Sequence, residues 1–256
     1  MVLYYLFRTR IRTIRLTAAS LHPSGPLLRA ICSLGVSPFL NQMAMFLVQI
    51  TLNNTLTYYG ALSHYGEDIP LACVGVISKV NILMLGFTLG ISQGCQPIFS
   101  YNYGARQYSR VREAYRKAIV AASVICCIAF VCFQLFPRPI VALFDPSGSE
   151  EYFQFAERYF RIYMFMTLAN AFQPITANFF TSIGKAKRGA LIALTRQVIF
   201  LIPLILIFPL FLGIDGVMYA GPIADSAAVV VALALVTREM KRMPHVDEPV
   251  AADTPV

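Results

Sequence analysis

The sequence is poor in charged residues and contains no tryptophan. Charged side chains make up 13% of its 256 residues, whereas an ordinary soluble domain has about 25%. Hydrophobic residues make up 57% of the chain, and a soluble fold cannot hide that much apolar surface from water. The composition therefore excludes a typical water-soluble domain and indicates a membrane protein.

Residues that usually carry catalysis or bind metals are few and scattered. The three histidines, His22, His64 and His245, lie far apart in loops and tails. The six cysteines lie in apolar segments without metal-ligand spacing, so we interpret them as packing residues. The sequence has no glycine-rich phosphate loop and no nucleophile motif. We therefore expect no enzyme activity, no cofactor and no metal site.

Long hydrophobic runs dominate the rest of the chain. A helix needs about 20 apolar residues to cross the hydrocarbon core of a bilayer, and six segments are long enough. They are 31–58, 69–99, 118–136, 159–182, 189–212 and 216–236. Because these runs are continuous and longer than the ten-residue alternating segments of barrel strands, the sequence predicts an all-α, polytopic membrane protein with six transmembrane helices.

Lysine and arginine are concentrated in alternate connections between these spans. The N-terminal tail, the second loop (101–117), the fourth loop (183–188) and the C-terminal tail carry most of them, and the opposite connections are rich in acids. Cytoplasmic loops carry the excess of basic residues. We therefore expect a plasma membrane protein with both termini cytoplasmic, whose basic loops meet anionic membrane lipids and do not bind nucleic acid.

The same pattern suggests three regions along the chain. Residues 1–29 place a short apolar run before several arginines, the reverse of a signal peptide, and resemble the end of a preceding helix followed by a basic cytoplasmic linker. Residues 30–240 form the six-helix lobe. Residues 241–256 form a cytoplasmic tail without periodicity, which we expect to be disordered. Within the second loop we expect a short surface helix over about 106–117, in which Glu113 pairs with Lys117.

Amides form stripes at helical spacing on two of the predicted spans. They are Gln42, Gln49 and Asn53 on the first span and Asn170, Gln173 and Asn178 on the fourth. Polar groups inside a membrane are costly, so such stripes indicate either a helix contact or a cavity. One interpretation is interhelical hydrogen bonding, and the other is a wet substrate cavity.

Small and charged residues mark the second and sixth spans. Three glycines recur at every fourth position, which lets another helix approach closely. They are Gly86, Gly90 and Gly94. Lys79 lies on the same stripe, so we expect it to face the bundle and to pair, directly or through water, with the buried Asp225. The alternative is a local structural role for each charge, and we expect Arg196 to reach the cytoplasmic interface.

Several segments together resemble a known family. The motif G-x-x-x-G-x-x-Q-G-x-Q-P-I at 86–98 is followed by YNYGA at 101–105 and RVREA at 110–114. Further similarity lies in SIGKAKRGALIALTRQVIFLIPL at 182–204 and GIDGVMYAGPIADS at 213–226. The sequence resembles the C-terminal lobe of MATE multidrug exporters, closest to the MepA-like branch, over roughly 30–240.

The resemblance implies a secondary antiporter of twelve helices in two lobes, which exports cationic or amphipathic drugs in exchange for Na⁺ or H⁺. An N-terminal lobe or a second chain would then complete this one. The motif that begins at Gly86 would serve helix packing and gating. Its residues here are Gly86, Gly90, Gly94, Gln96, Pro97, Tyr101, Asn102, Tyr103 and Gly104. Some members of the family place acidic cation ligands in the first and fourth helices of this lobe, where this chain has amides and hydroxyls.

The residues leave two alternatives open. A lipid-linked glycan flippase of related architecture would need several arginines lining its cavity to hold pyrophosphate, and we find none deep in the spans. A membrane scaffold without transport activity, or a degenerate fragment, would have its polar stripes plugged by side chains.

Overall fold

A computed structural model describes residues 24–146 and 148–244. All regular structure in these residues is helical, which confirms the predicted all-α fold. The α-helices are α1 Gly25–Ala61, α2 Asp68–Gly104, α3 Tyr108–Leu135, α4 Pro137–Ala142, α5 Glu150–Tyr163, α6 Ala169–Ser182, α7 Ala186–Leu194, α8 Ile202–Leu212 and α9 Ile214–Arg242. A 3-10 turn, Met164–Met166, follows α5, and a π-helical segment, Thr195–Leu201, joins α7 to α8.

The chain divides into two compact units, residues 1–39 and 40–256. The described part of the first unit is the N-terminal portion of α1, which begins at Gly25 and so starts inside the predicted linker of residues 1–29. The rest of that linker and the predicted tail beyond residue 244 lie outside the described residues. The contacts below all belong to the second unit.

Four described helical stretches are long and apolar enough to cross a membrane. They are α2, α3, the continuous stretch Ala186–Leu212 and α9. These stretches correspond to the predicted second, third, fifth and sixth spans. The predicted first span lies within α1, and the fourth is divided between α5, the 3-10 turn and α6. Membrane crossing by these two remains a prediction.

The predicted fourth span begins inside α5, an amphipathic helix that starts before the span and has its own start signal. The hydroxyl of Ser149 accepts a hydrogen bond from the Tyr152 amide at 3.2 Å, as in a standard N-cap. Tyr152, Phe155 and Tyr159 then fall on one buried face. After α5 ends, the Thr167 hydroxyl donates to the Met164 carbonyl at 2.6 Å. This local bond is an alternative to regular helical bonding.

The core lies where α2, α3 and α6 meet. Phe99 of α2, Tyr115 of α3 and Phe179 of α6 pack their rings together, with Phe179 centroids 5.4 Å from Phe99 and 5.0 Å from Tyr115. Gly216 permits a close approach of α9 to α8, since a Cβ at this position would lie 2.5 Å from the carbonyl carbon of Phe208. The hairpin of α8 and α9 therefore requires glycine at this position.

The basic segments cluster at one end of the bundle. Arg112, at the start of α3, donates a hydrogen bond to the Met243 carbonyl just after α9, at 2.8 Å. Glu239, in the last turns of α9, binds both Lys185, just before α7, and Arg188, in the first turn of α7. The second loop, the fourth loop and the end of α9 therefore lie on the same side, as their charge pattern predicted.

The acid-rich connections are joined by a separate set of ion pairs. Arg158 of α5 pairs with Asp215 at the start of α9, with 2.8 Å between Nη2 and Oδ2. Arg138 pairs with Glu150 at 2.6 Å, and the carboxylate raises the pKa of this guanidinium above its ordinary value. These pairs join the connections that the sequence assigned to the side opposite the basic loops. Which side faces the cytoplasm remains a prediction.

The second loop differs from the predicted structure in one respect. The predicted separate surface helix over 106–117 is wrong, because α3 begins at Tyr108 and continues unbroken to Leu135. The turn before it is made by Arg106, which has a φ of 56°. The predicted pair of Glu113 and Lys117 is confirmed, with 2.7 Å between carboxylate and ammonium.

Candidate functional site

The three amides of α1 lie on one exposed face, as their spacing predicted. Gln42, Gln49 and Asn53 are all exposed, whereas Val48 and Leu52 are buried in the core. Gln49 Nε2 donates to Asn53 Oδ1 at 3.0 Å within the same helix. In the described part of the chain, these amides make no hydrogen bond to another helix. Their role as substrate ligands stays a prediction.

The amides of α6 have a different environment. Asn178 Nδ2 donates to the Ser92 hydroxyl of α2 at 2.8 Å, and that hydroxyl donates in turn to the Pro174 carbonyl at 3.3 Å. Gln173 is half-buried, and the side chain of Asn170 lies outside the described residues. For Asn178 the interpretation as an interhelical hydrogen bond therefore applies.

The glycine stripe of α2 is not covered by another described helix. A Cβ added at Gly86, Gly90 or Gly94 would meet no atom of the described chain within 4 Å. The predicted close approach of another helix is therefore absent from the described residues. Lys79 is exposed along the same stripe, so the prediction that it faces the bundle of this lobe is wrong. We call the exposed amides of α1 and this stripe of α2 the open stripes.

The predicted ion pair between Lys79 and Asp225 is also wrong. The carboxylate of Asp225 in α9 instead accepts a hydrogen bond from Arg196 Nε at 2.5 Å. Both side chains are nearly buried, with 13% of Arg196 and 11% of Asp225 exposed. Arg196 therefore lies inside the lobe and does not reach the interface, contrary to the prediction.

The π-helical segment explains this error. Arg196 is the second residue of Thr195–Leu201, and a π turn rotates the following side chains away from the positions of a regular helix. Close packing supports the pair, because a Cβ at Gly221 would lie 2.5 Å from the Tyr163 ring. Gly221 precedes Asp225 by one helical turn, so this glycine lets α5 and α9 approach beside the ion pair.

The second half of the motif that begins at Gly86 forms the C-terminal end of α2. The helix continues through the exposed Pro97 and ends at Gly104. Asn102 Nδ2 donates to the Ile98 carbonyl at 2.8 Å, so its amide stabilises the last turns. Half-buried Tyr103 packs edge-to-face on Tyr108 of α3, with ring centroids 5.7 Å apart.

Two other residues of this motif lie in the last three turns of α2. Gln96 is half-buried and Tyr101 is exposed. The motif therefore has a local structural role at the α2–α3 turn, and its part in gating stays a prediction.

One buried acid, Glu239, was not predicted from the sequence. Glu239 is 2% exposed, and Lys185 and Arg188 bind its two oxygens. An acid among the basic residues that end α9 was the available signal, since a buried carboxylate needs compensating cations. This cluster fixes the α6–α7 connection to the end of α9.

Comparison with known proteins places these helices in a family. A family model described as MatE matches residues 42–207. A multidrug export protein MepA from Staphylococcus aureus (strain bovine RF122 / ET3-1) is 22% identical over 237 residues, covering 92% of this chain and 49% of that protein. This chain therefore spans about half the length of the curated relatives it matches.

Solved structures show the same fold. A multidrug resistance MATE family transporter of the MOP superfamily, in an outward-facing conformation, has a TM-score of 0.80 and 21% identity, covering 94% of this chain and 53% of that one. A MOP superfamily transporter from Pyrococcus furiosus has a TM-score of 0.81 and 20% identity, covering 94% and 53%. The binding pocket of this second transporter has reverse polarity, which suggests a different function for that protein.

Proposed function

Because the chain belongs to the MATE transporter family, we propose that it forms one six-helix lobe of a secondary antiporter. In this proposal the complete transporter exports cationic or amphipathic drugs in exchange for Na⁺ or H⁺. The exposed amides of α1 carry the proposal, since they offer donors and acceptors to many ligands without fixing one charge. The protein lies in the plasma membrane, with both termini cytoplasmic.

Lys79 supports the need for a second lobe. It lies eleven residues after Asp68, or about 16 Å along α2, and is exposed. In residues 24–146 and 148–244 no acid lies within ion-pair distance of it. A cation at this depth is costly against lipid, and such residues usually face a bundle interior or a wet cavity. The partner is an N-terminal lobe or a second chain that covers the open stripes.

Asp225 is the described group best suited to bind the coupling cation inside this lobe. It is a nearly buried acid within a membrane-spanning stretch, and Arg196 neutralises it. Na⁺ or H⁺ would replace the charge that Arg196 now supplies, and this would free the guanidinium to change partners. The same pair argues against the flippase alternative, because Arg196 is bound within the lobe and does not present its charge to a cavity.

The test is export of a cationic fluorescent dye from proteoliposomes that contain this chain together with a second six-helix lobe. The double variant Gln49→Ala/Asn53→Ala removes two neighbouring amides from the α1 stripe. Gln154→Ala is the matched control, because Gln154 is an exposed amide on α5, away from the stripes.

We expect the double variant to raise KM or reduce export several-fold while the control retains it. Imposed Na⁺ and H⁺ gradients, applied separately, identify the coupling ion. Equal export by the double variant and the control would contradict the assignment of these amides to the substrate cavity. No export under either gradient would contradict the antiport mechanism itself.

A further inference from the structure

A groove of about 510 Å³ runs between the beginning of α3 and the end of α9. Ile119 and Val120 line it from α3, Val236 and Met240 line it from α9, and Phe172 of α6 completes the apolar lining. None of the described residues that line the groove carries a carboxylate. Its tyrosine, which comes from α3, already uses its hydroxyl in a 2.8 Å hydrogen bond to a threonine of α6.

Two cations stand at the rim of this groove, Arg116 of α3 and Lys241 of α9. Both are exposed, and within the described ranges neither lies within ion-pair distance of an acid. The neighbouring Lys117 differs, because Glu113 neutralises it. The hydrogen bond from Arg112 to the backbone after α9 holds the two helix ends together, so the two rim cations lie at the same end of the bundle.

The charge of the rim determines which amphiphile the groove suits. An apolar groove alone gives no preference in a bilayer, because lipid tails are as apolar as the side chains. Cations near the membrane surface favour anionic head groups, each by roughly a factor of five, so two give about 30-fold. The same cations repel the cationic drugs proposed for the substrate cavity.

We propose that this groove binds an anionic phospholipid from the leaflet that meets the basic loops. Its acyl chain lies against Phe172 and Ile119, and its phosphate lies between Arg116 and Lys241. This lipid site depends on the membrane position of α3 and α9 and is independent of the proposed transport activity.

The absence of tryptophan from the chain permits a clean fluorescence measurement. Val120→Trp places a single tryptophan in the groove, at a position where the valine is 55% exposed and leaves room for it. Val131→Trp, at a valine that is 50% exposed near the other end of α3, reports ordinary surrounding lipid. The full chain in mixed micelles is titrated with brominated phosphatidylglycerol or brominated phosphatidylcholine, and quenching of the tryptophan measures lipid contact.

We expect brominated phosphatidylglycerol to half-quench Val120→Trp at about 30-fold lower mole fraction than brominated phosphatidylcholine. Val131→Trp should show no such preference. Adding Arg116→Gln and Lys241→Gln to the Val120→Trp variant should abolish its preference for brominated phosphatidylglycerol.

The control pair, Lys117→Gln and Arg242→Gln, removes the same net charge from adjacent positions outside the groove and should retain most of the preference. Equal quenching of Val120→Trp by the two lipids would overturn the proposal. Equal losses of the lipid preference in the two double variants would also overturn it, because the anionic lipid would then be attracted to the basic surface as a whole. Circular dichroism of each variant verifies that its helices are intact.

Discussion

Two stripes of small residues at spacings of four have opposite environments in this lobe. Ala220, Ala224, Ala228 and Ala232 of α9 are all at most 1% exposed, whereas a Cβ added at Gly86, Gly90 or Gly94 of α2 would meet no described atom within 4 Å. Both patterns permit close helix packing. Around α9 the packing partners come from the same lobe. Along α2 no described residue fills this space, and the proposed second lobe would pack against the open stripes.

The largest expected effect on stability is at the ion pair of Arg196 and Asp225. Asp225→Asn leaves the buried guanidinium of Arg196 without its compensating charge, which costs about 3–5 kcal/mol when a pair is fully buried. We expect a loss of that order in the free energy of unfolding, measured by denaturant titration in mixed micelles. The double variant Arg196→Leu/Asp225→Leu should recover most of the loss, because it removes both charges. A single variant as stable as the unmodified protein would contradict the burial of this pair.

Enlarging one residue in each stripe tests the comparison directly. Ala228→Leu inserts three carbon atoms where Ala228 is 1% exposed, and such overpacking typically costs about 1–3 kcal/mol. Gly90→Leu places the same side chain in open space. We expect it to leave the melting temperature of the isolated chain unchanged or slightly raised. Equal destabilisation by both variants would show that the glycine stripe is already covered.

The hydrogen bond between Asn178 and Ser92 is expected to contribute less. Such bonds between membrane helices average about 0.6 kcal/mol, with a maximum near 1.7. Asn178→Ala should therefore lower the free energy of unfolding by about that amount. A double-mutant cycle with Ser92→Ala isolates the pairwise contribution. A coupling energy of zero would mean that the two side chains do not interact in solution.

The smallest expected effect on stability is at the open amides. Gln49→Ala removes an exposed side chain whose hydrogen bond lies within its own helix, so we expect a change within about 0.5 kcal/mol. Thermal unfolding of the isolated lobe measures this. A large loss would place Gln49 in the core of the lobe, contrary to its exposure, and would remove it as a candidate substrate ligand.

Continuous hydrophobic runs were sufficient to predict several of the long helices. The continuous apolar runs predicted α2, α3 and α9. The alternation of basic and acidic connections also grouped Arg112, Lys185 and Arg188 at one end. These features follow from local composition, so a single sequence contains them.

The contacts between helices were less predictable. A helical wheel assumes 3.6 residues per turn, which does not apply to the π segment Thr195–Leu201. It therefore could not place Arg196 beside Asp225. The same wheel placed Lys79 and Gly86 on one face correctly, but it could not show that this face points away from the lobe's own core. The choice of partner depends on tertiary packing, which helical periodicity alone does not determine.

The need for a second lobe is tested most directly by comparing dye export by this chain alone, by two copies joined in tandem, and by the chain with the N-terminal half of the Staphylococcus aureus relative. Liposomes carry an imposed Na⁺ or H⁺ gradient in each case. We predict no export by the chain alone and export by at least one of the two-lobe forms, with Gly90→Leu abolishing it. Gradient-driven export by the single chain would contradict the claim that the open stripes require a second lobe.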